Sequence, residues 1–141
     1  MTGDIMLLYT TIGTNDIVRA TAFWGPIMAS LGHPAVPDLG ETWVGWGGSD
    51  YDSGFGFYIC STFDGRPASA GNGLTFAFPA RDAAQVRALH AMAVQNGGRD
   101  DGPPGTRDGY GPSFYVAYVR DPDGHKLAFV HHHYDPATDH P

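Results

Sequence analysis

Apolar and polar positions along this chain alternate in short runs that change period several times. Residues 5–13, from Ile5 to Gly13, form an apolar, β-branched run that predicts a strand. Asn15-Asp16 then offers an N-cap and an acid for a first helical turn, and a helix is predicted from about Asp16 to Leu31. Gly25-Pro26 falls inside it, so a kink or two short pieces are expected. Gly32 provides the stop. Residues 41–47 and 55–61 read as strands around a loop from Gly48 to Gly54, and Arg66 to Gly73 is a linker of small residues.

The second half repeats this order. Leu74 to Pro79 predicts a strand and Asp82 to Asn96 a helix closed by Gly97-Gly98. Val86, Leu89, His90 and Ala93 share the helical face expected to pack on a sheet. A Gly/Pro loop, Gly102 to Pro112, precedes strands over 113–120 and 125–132. The helix openings echo each other, Val18-Arg19-Ala20 against Val86-Arg87-Ala88, so the chain reads as a duplicated strand-helix-strand-strand unit.

The last two strands have a countable register. In Asp121-Pro122-Asp123-Gly124, Pro122 presets a type I turn and Gly124 takes the positive φ that closes it. With one extra residue at Gly124, Tyr118 falls across from Ala128, Val116 from Val130 and Phe114 from His132. That face mixes aromatic, small and polar residues, as a cavity wall does. Ala117, Val119, Leu127 and Phe129 make the other face, apolar throughout, which belongs against a helix. Alternation also separates Leu7, Tyr9 and Thr11 from Leu8 and Ile12, and Thr75 and Ala77 from Phe76 and Phe78.

Composition narrows the class. A chain of 141 residues with 42% hydrophobic and 13% aromatic residues can bury one domain's core. The formal net charge is −7, with eight basic residues scattered singly, which argues against nucleic-acid binding. No apolar stretch is long enough to cross a bilayer, and Met1-Thr2-Gly3-Asp4 does not read as a secretory signal. Cys60 is the single cysteine, as suits a reducing cytoplasm, the expected location.

Asn15-Asp16-Ile17 with Ala22-Phe23-Trp24, then Gly71-Asn72-Gly73, then Asp121-Pro122-Asp123-Gly124 resemble the vicinal oxygen chelate superfamily of glyoxalase I, bleomycin-resistance proteins and extradiol dioxygenases. The resemblance spans residues 5–132 and implies an α+β fold. It implies paired βαβββ modules, about 5–66 and 73–132, whose curved mixed sheet encloses a cavity, followed by a tail over 133–141. It also implies a homodimer. Family enzymes hold a divalent metal with His or Gln on the first strand, His on the first strand of module two and Glu on the last strand. The matching positions here are Tyr9, Thr75 and Ala128. Module one's last strand, which often adds an acid, is Phe55-Gly56-Phe57-Tyr58-Ile59, and the only glutamate is Glu41. Divalent metals need several convergent deprotonated ligands, so no cofactor is expected.

Other candidates read as structure. Neighbours on a strand point to opposite faces, so His131-His132-His133 do not converge on one ion. His132 is in phase with Ala128, roughly 13 Å further along, at a cavity mouth. His125 is expected at the exposed turn and His90 as a hydrogen-bonded core residue. Cys60 is expected buried and unreactive. Asp50 and Asp52 resemble a fragment of a calcium loop without its closing glutamate, which reads as a flexible acidic loop. Tyr9, Thr11 and Tyr118 are expected on the cavity wall; Trp43, Trp46, Phe57 and Phe114 read equally as an aromatic ligand platform or as ordinary sheet packing, with Trp46, Phe57 and Phe114 taken as cavity-lining.

The resulting expectation is a metal-free module binding a small organic molecule, as bleomycin-type resistance proteins do. The acidic balance suits a cationic ligand. The alternative is a metal-dependent lyase of the glyoxalase I type, or a dioxygenase, using displaced ligands for Zn, Ni, Fe or Mn as a Lewis acid. A third reading, a degenerate interaction domain, predicts a self-filled cavity.

Overall fold

The run ending at Thr14 meets a helix start that its own side chains build. In the computed structural model, which describes residues 6–48 and 54–139, the Asp16 N–H donates to Thr14 Oγ1 at 3.1 Å. The Asp16 carboxylate then caps the helix by accepting from the Arg19 N–H at 3.0 Å. The strand is β1 (Tyr9–Thr14) and the helix α1 (Ile17–Leu31). Gly32, at φ 83°, ends the helix by donating to the Ala29 and Met28 carbonyls. Helix α1 is continuous, not two pieces, despite Pro26. Pro26 lies on the exposed side between buried Trp24 and Ile27, and Ala22, whose carbonyl the proline cannot bond, is exposed as well.

The chain divides into two compact units, Met1–Ser69 and Ala70–Pro141. In the first, β2 (Trp43–Gly47) and β3 (Gly56–Ser61) join β1 in the order β1-β3-β2, with β1 parallel and β2 antiparallel to β3. Helix α1 turns Ala20, Phe23, Trp24, Ile27 and Met28 inward, spaced three and four apart as one helical stripe requires. Among the described residues, the sheet beyond β2 has only an isolated bridge, Ala35 to Trp46. Ile5 and the Asp50–Asp52 loop lie outside the described residues.

The second unit runs β4 (Phe76–Pro79), α2 (Ala83–Gln95), β5 (Arg99–Gly105), β6 (Tyr115–Arg120) and β7 (Lys126–His131), in sheet order β4-β7-β6-β5. β4 is parallel to β7, and the other pairs are antiparallel. The Gly/Pro loop expected from Gly102 is in part β5, which takes in Gly102 to Gly105. Its sequence, Arg-Asp-Asp-Gly-Pro-Pro-Gly, carries no strand alternation. It pairs at a sheet edge through two register shifts, where proline is tolerated.

Helix α2 packs on β6 and β7 with Val86, Leu89 and Ala93 fully buried. The apolar sheet face Ala117, Val119, Leu127 and Phe129 is buried as expected. The hairpin register is also as counted: Tyr118 pairs with Ala128 and Val116 with Val130, and Gly124 sits at φ 92°. His125, expected at an exposed turn, is buried instead. The Asp121 carboxylate accepts from the Asp123 and His125 N–H groups at 3.0 and 2.9 Å, which holds the turn against the residue that follows it. The tail is tied down by the Tyr134 N–H, which donates to Ser113, and by Asp139, 3.5 Å from Arg87.

Candidate functional site

The resemblance assigns a cation to the positions of Tyr9, Thr75 and Ala128, and these residues do not fit one. Ala128 is buried in an apolar cluster with Val116 and Val130, against which Phe114 and Tyr118 pack. Its register partner on β4 is Ala77, another methyl group. Thr75 is exposed and precedes β4. Tyr9 is half exposed. A phenol, a hydroxyl and a methyl supply no deprotonated ligand set near neutral pH. Among the described residues, no three His, Cys, Asp or Glu side chains are grouped to hold a metal ion.

The histidines have other surroundings. His132 is exposed, with its ring 4.1 Å from that of His133 and outside the Val116 cluster. His90 Nε2 donates to Asp100 Oδ1 at 2.8 Å, and that bond, followed by one from the Gly102 N–H, holds the Asp100 carboxyl below the usual range.

In the first unit the two faces of the sheet differ from the expected wall at two positions. Phe57 lies on the helix side, with its ring 4.8 Å from that of Trp24. Trp46, its cross-strand partner, shares that face and is buried. Both belong to the core, not to a cavity wall. No tight turn fixes the phase of 55–61 in the sequence, and aromatic residues stand on both faces.

The sheet face away from the helix carries Tyr58 instead, with Tyr9 and Thr11 beside it on β1 and Trp43 on β2. Tyr9 and Trp43 meet the Tyr58 ring edge-on at 6.1 and 6.2 Å. Tyr58 lies flat because its neighbours on that face are glycines. A Cβ at Gly45 would overlap Tyr58 Cδ1, and one at Gly56 would lie 2.7 Å from Cε2. The sequence signal is the alternation Gly56-Phe57-Tyr58 facing Gly45 across the ladder, legible only once the register is known.

This face continues into a cavity of about 540 Å3 whose floor includes Thr11, Gly13 and Cys60 and whose wall is the segment 61–69. The wall is pinned where Ala68 N–H donates to Asn15 Oδ1 at 2.6 Å. Thr62 Oγ1 donates to the Arg66 carbonyl at 2.6 Å. A Cβ at Gly13 would meet Thr62 Cγ2 at 3.1 Å, so the glycine lets the wall approach the strand. Cys60 is buried, and burial pushes its thiol up, away from the thiolate a nucleophile needs.

Comparison with known proteins places these features in a lineage. A family model described as the glyoxalase/bleomycin resistance protein/dioxygenase superfamily matches residues 7–129. A solved glyoxalase/bleomycin resistance protein from Albidiferax ferrireducens T118 is 32% identical, with a TM-score of 0.74 over 87% of this chain and 95% of that one. A glyoxalase-related enzyme from Fulvimarina pelagi shares the fold at 20% identity, with a TM-score of 0.67 over 92% of this chain and 88% of that one. A family enzyme from Burkholderia phytofirmans PsJN does so at 17% identity, with a TM-score of 0.67 over 88% and 97%. No curated protein matches the chain.

Proposed function

The chain belongs to the glyoxalase/bleomycin resistance protein/dioxygenase superfamily, and within it we propose a protein that binds a small organic molecule without a metal. The observation that carries the reading is the Tyr58 ring laid flat over Gly45 and Gly56, with Tyr9 and Trp43 edge-on beside it. These rings share a sheet face with Thr11, Gly13 and Cys60 of the neighbouring cavity, and an aromatic group beside a hollow suits the flat apolar part of a ligand. The donor chemistry at Tyr9, Thr75 and Ala128 supports the same reading, because it offers a divalent ion no carboxylate or imidazole.

Trp43 provides the assay. It is the half-buried tryptophan beside Tyr58, whereas Trp24 and Trp46 are buried on the helix side. Titration of untagged protein with 2-naphthol is expected to give saturable quenching that Tyr58→Ala abolishes. Unchanged quenching in Tyr58→Ala, or one stoichiometric divalent metal per chain by elemental analysis, would overturn the reading. Family membership supports a homodimer as part of the proposal, and the lone buried thiol supports a cytoplasmic location. Among the described residues, no helix is long and apolar enough to cross a membrane.

A further inference from the structure

The second unit has a cavity of its own, about 400 Å3, whose lining carries two basic side chains, Arg107 and Lys126, beside two acids, Asp101 and Asp108. The sequence has one lysine, Lys126, and seven arginines against fifteen acids. Lys126 and Arg107 line this cavity, and Arg120 reaches Asp101 at its edge. Three of eight basic residues thus gather around one hollow of a chain whose net charge is −7.

Two acids, Asp101 and Asp108, line the same hollow, and Asp100 lies within electrostatic reach of Arg107. Asp101 is engaged twice, by Arg120 Nε at 3.0 Å and by Lys126 Nζ at 3.7 Å. Asp108 is exposed. Arg107 forms no ion pair among the described residues. Its Nη1 and Nη2 donate only to the main-chain carbonyls of Pro103, Gly105 and Thr106. Those bonds fix the guanidinium without neutralising it. Its Cζ lies 5.8 Å from the Tyr118 ring centre, and Lys126 Nζ lies 4.6 Å from the same centre.

Space is kept here by a missing side chain. A Cβ at Gly102 would stand 2.9 Å from Tyr118 Cδ2 and 3.1 Å from Arg107 Nη2. Burial, followed by the neighbouring Tyr110 with which its hydroxyl shares a hydrogen bond, pushes the Tyr118 phenol up, so a ligand oxygen would have to take over that bond. Two fixed cations and a phenolic donor around a hollow are what a negatively charged oxygen pair requires.

We propose that this cavity binds the oxyanion of a small organic acid, with Lys126 and Arg107 supplying the charge and Tyr118 a hydroxyl and a ring edge. The shared chemistry is an oxyanion, and carboxylate and phosphate are its two sources. The inference goes beyond the aromatic reading above and stands on the second unit alone. It also reverses the ligand charge that net composition favours.

The test is calorimetric titration of the full chain with benzoate, inorganic phosphate, benzamide and benzylamine. Benzoate or phosphate is expected to bind. Affinity is expected to fall at least about tenfold in Lys126→Met and in Arg107→Gln, and to weaken with salt. Lys126→Arg is expected to retain binding. Preference for phosphate over benzoate would identify the phosphate source. Benzamide or benzylamine binding as tightly as benzoate would overturn the proposal. So would a lack of binding by both anions up to about 10 mM, or wild-type affinity in both charge-removal variants.

Discussion

Replacing Gly45 by alanine should destabilise this protein, although the same change in an ordinary strand stabilises it. A glycine inside a strand costs roughly 0.5–1 kcal/mol relative to alanine through chain entropy, and that gain is the baseline for any Gly→Ala change. Here the added methyl would overlap Tyr58 Cδ1 and stand 2.7 Å from Cε1. The ring has no room along the strand, since it already lies close over Gly56. It must lift, and Tyr58 is buried, with only 8% of its surface exposed. Overpacking of this kind costs about 1–3 kcal/mol. Lifting also breaks the two edge-on contacts with Tyr9 and Trp43, each worth about 0.5–1.5 kcal/mol. After the entropic gain is offset, a net loss of about 1–5.5 kcal/mol remains. Urea unfolding followed by far-UV circular dichroism measures it. A double-mutant cycle with Tyr58→Ala isolates the cause, because in that background Gly45→Ala should become neutral or stabilising. An equal cost with and without the tyrosine ring would refute the argument, as would a gain in stability in the wild-type background.

Three further outcomes follow from other contacts. Asp121→Ala leaves the Asp123 and His125 N–H groups without their acceptor and should cost about 1–3 kcal/mol in urea midpoint terms; a change below about 0.5 kcal/mol would count against the turn's role. Asp82→Ala removes the cap that accepts from the Gln85 N–H at 2.7 Å and should cost about 1 kcal/mol by the same assay. The Asp100 carboxyl is held down first by His90, so its stabilising contribution is complete above the ordinary aspartate value and is lost as pH falls through the depressed one. Carboxyl NMR titration of His90→Leu should move the Asp100 midpoint upward, and an unmoved midpoint would contradict the pairing.

Much of this was legible in the sequence wherever local chemistry dictates geometry. Asp16, Gly32 and Asp82 marked helix ends through their own hydrogen bonds. Pro122 and Gly124 fixed the hairpin, and the pairing of Tyr118 with Ala128 followed by counting. Legibility failed where partners are remote. The prolines of β5 look like a loop, because an edge strand needs only one side of its backbone and its partner β6 lies some fifteen residues on. The sequence leaves Phe57 open between platform and sheet packing because Trp24, the residue whose ring it meets, is more than thirty positions away. The cavity around Lys126 was invisible for the same reason: Asp101, Arg107, Tyr118 and Lys126 are scattered along the chain, and only the pairing of β5, β6 and β7 brings them to one hollow.

The isolated bridge at Ala35 stands where the second unit has the seven-residue β5. One copy of the duplicated unit therefore has a full outer strand and the other a single rung. Main-chain amides along β2 should exchange with deuterated solvent sooner than those of β6, which is paired on both flanks. Breathing would then begin beside Trp43, so the half of the molecule with the aromatic floor is also the half best able to reshape itself around a guest.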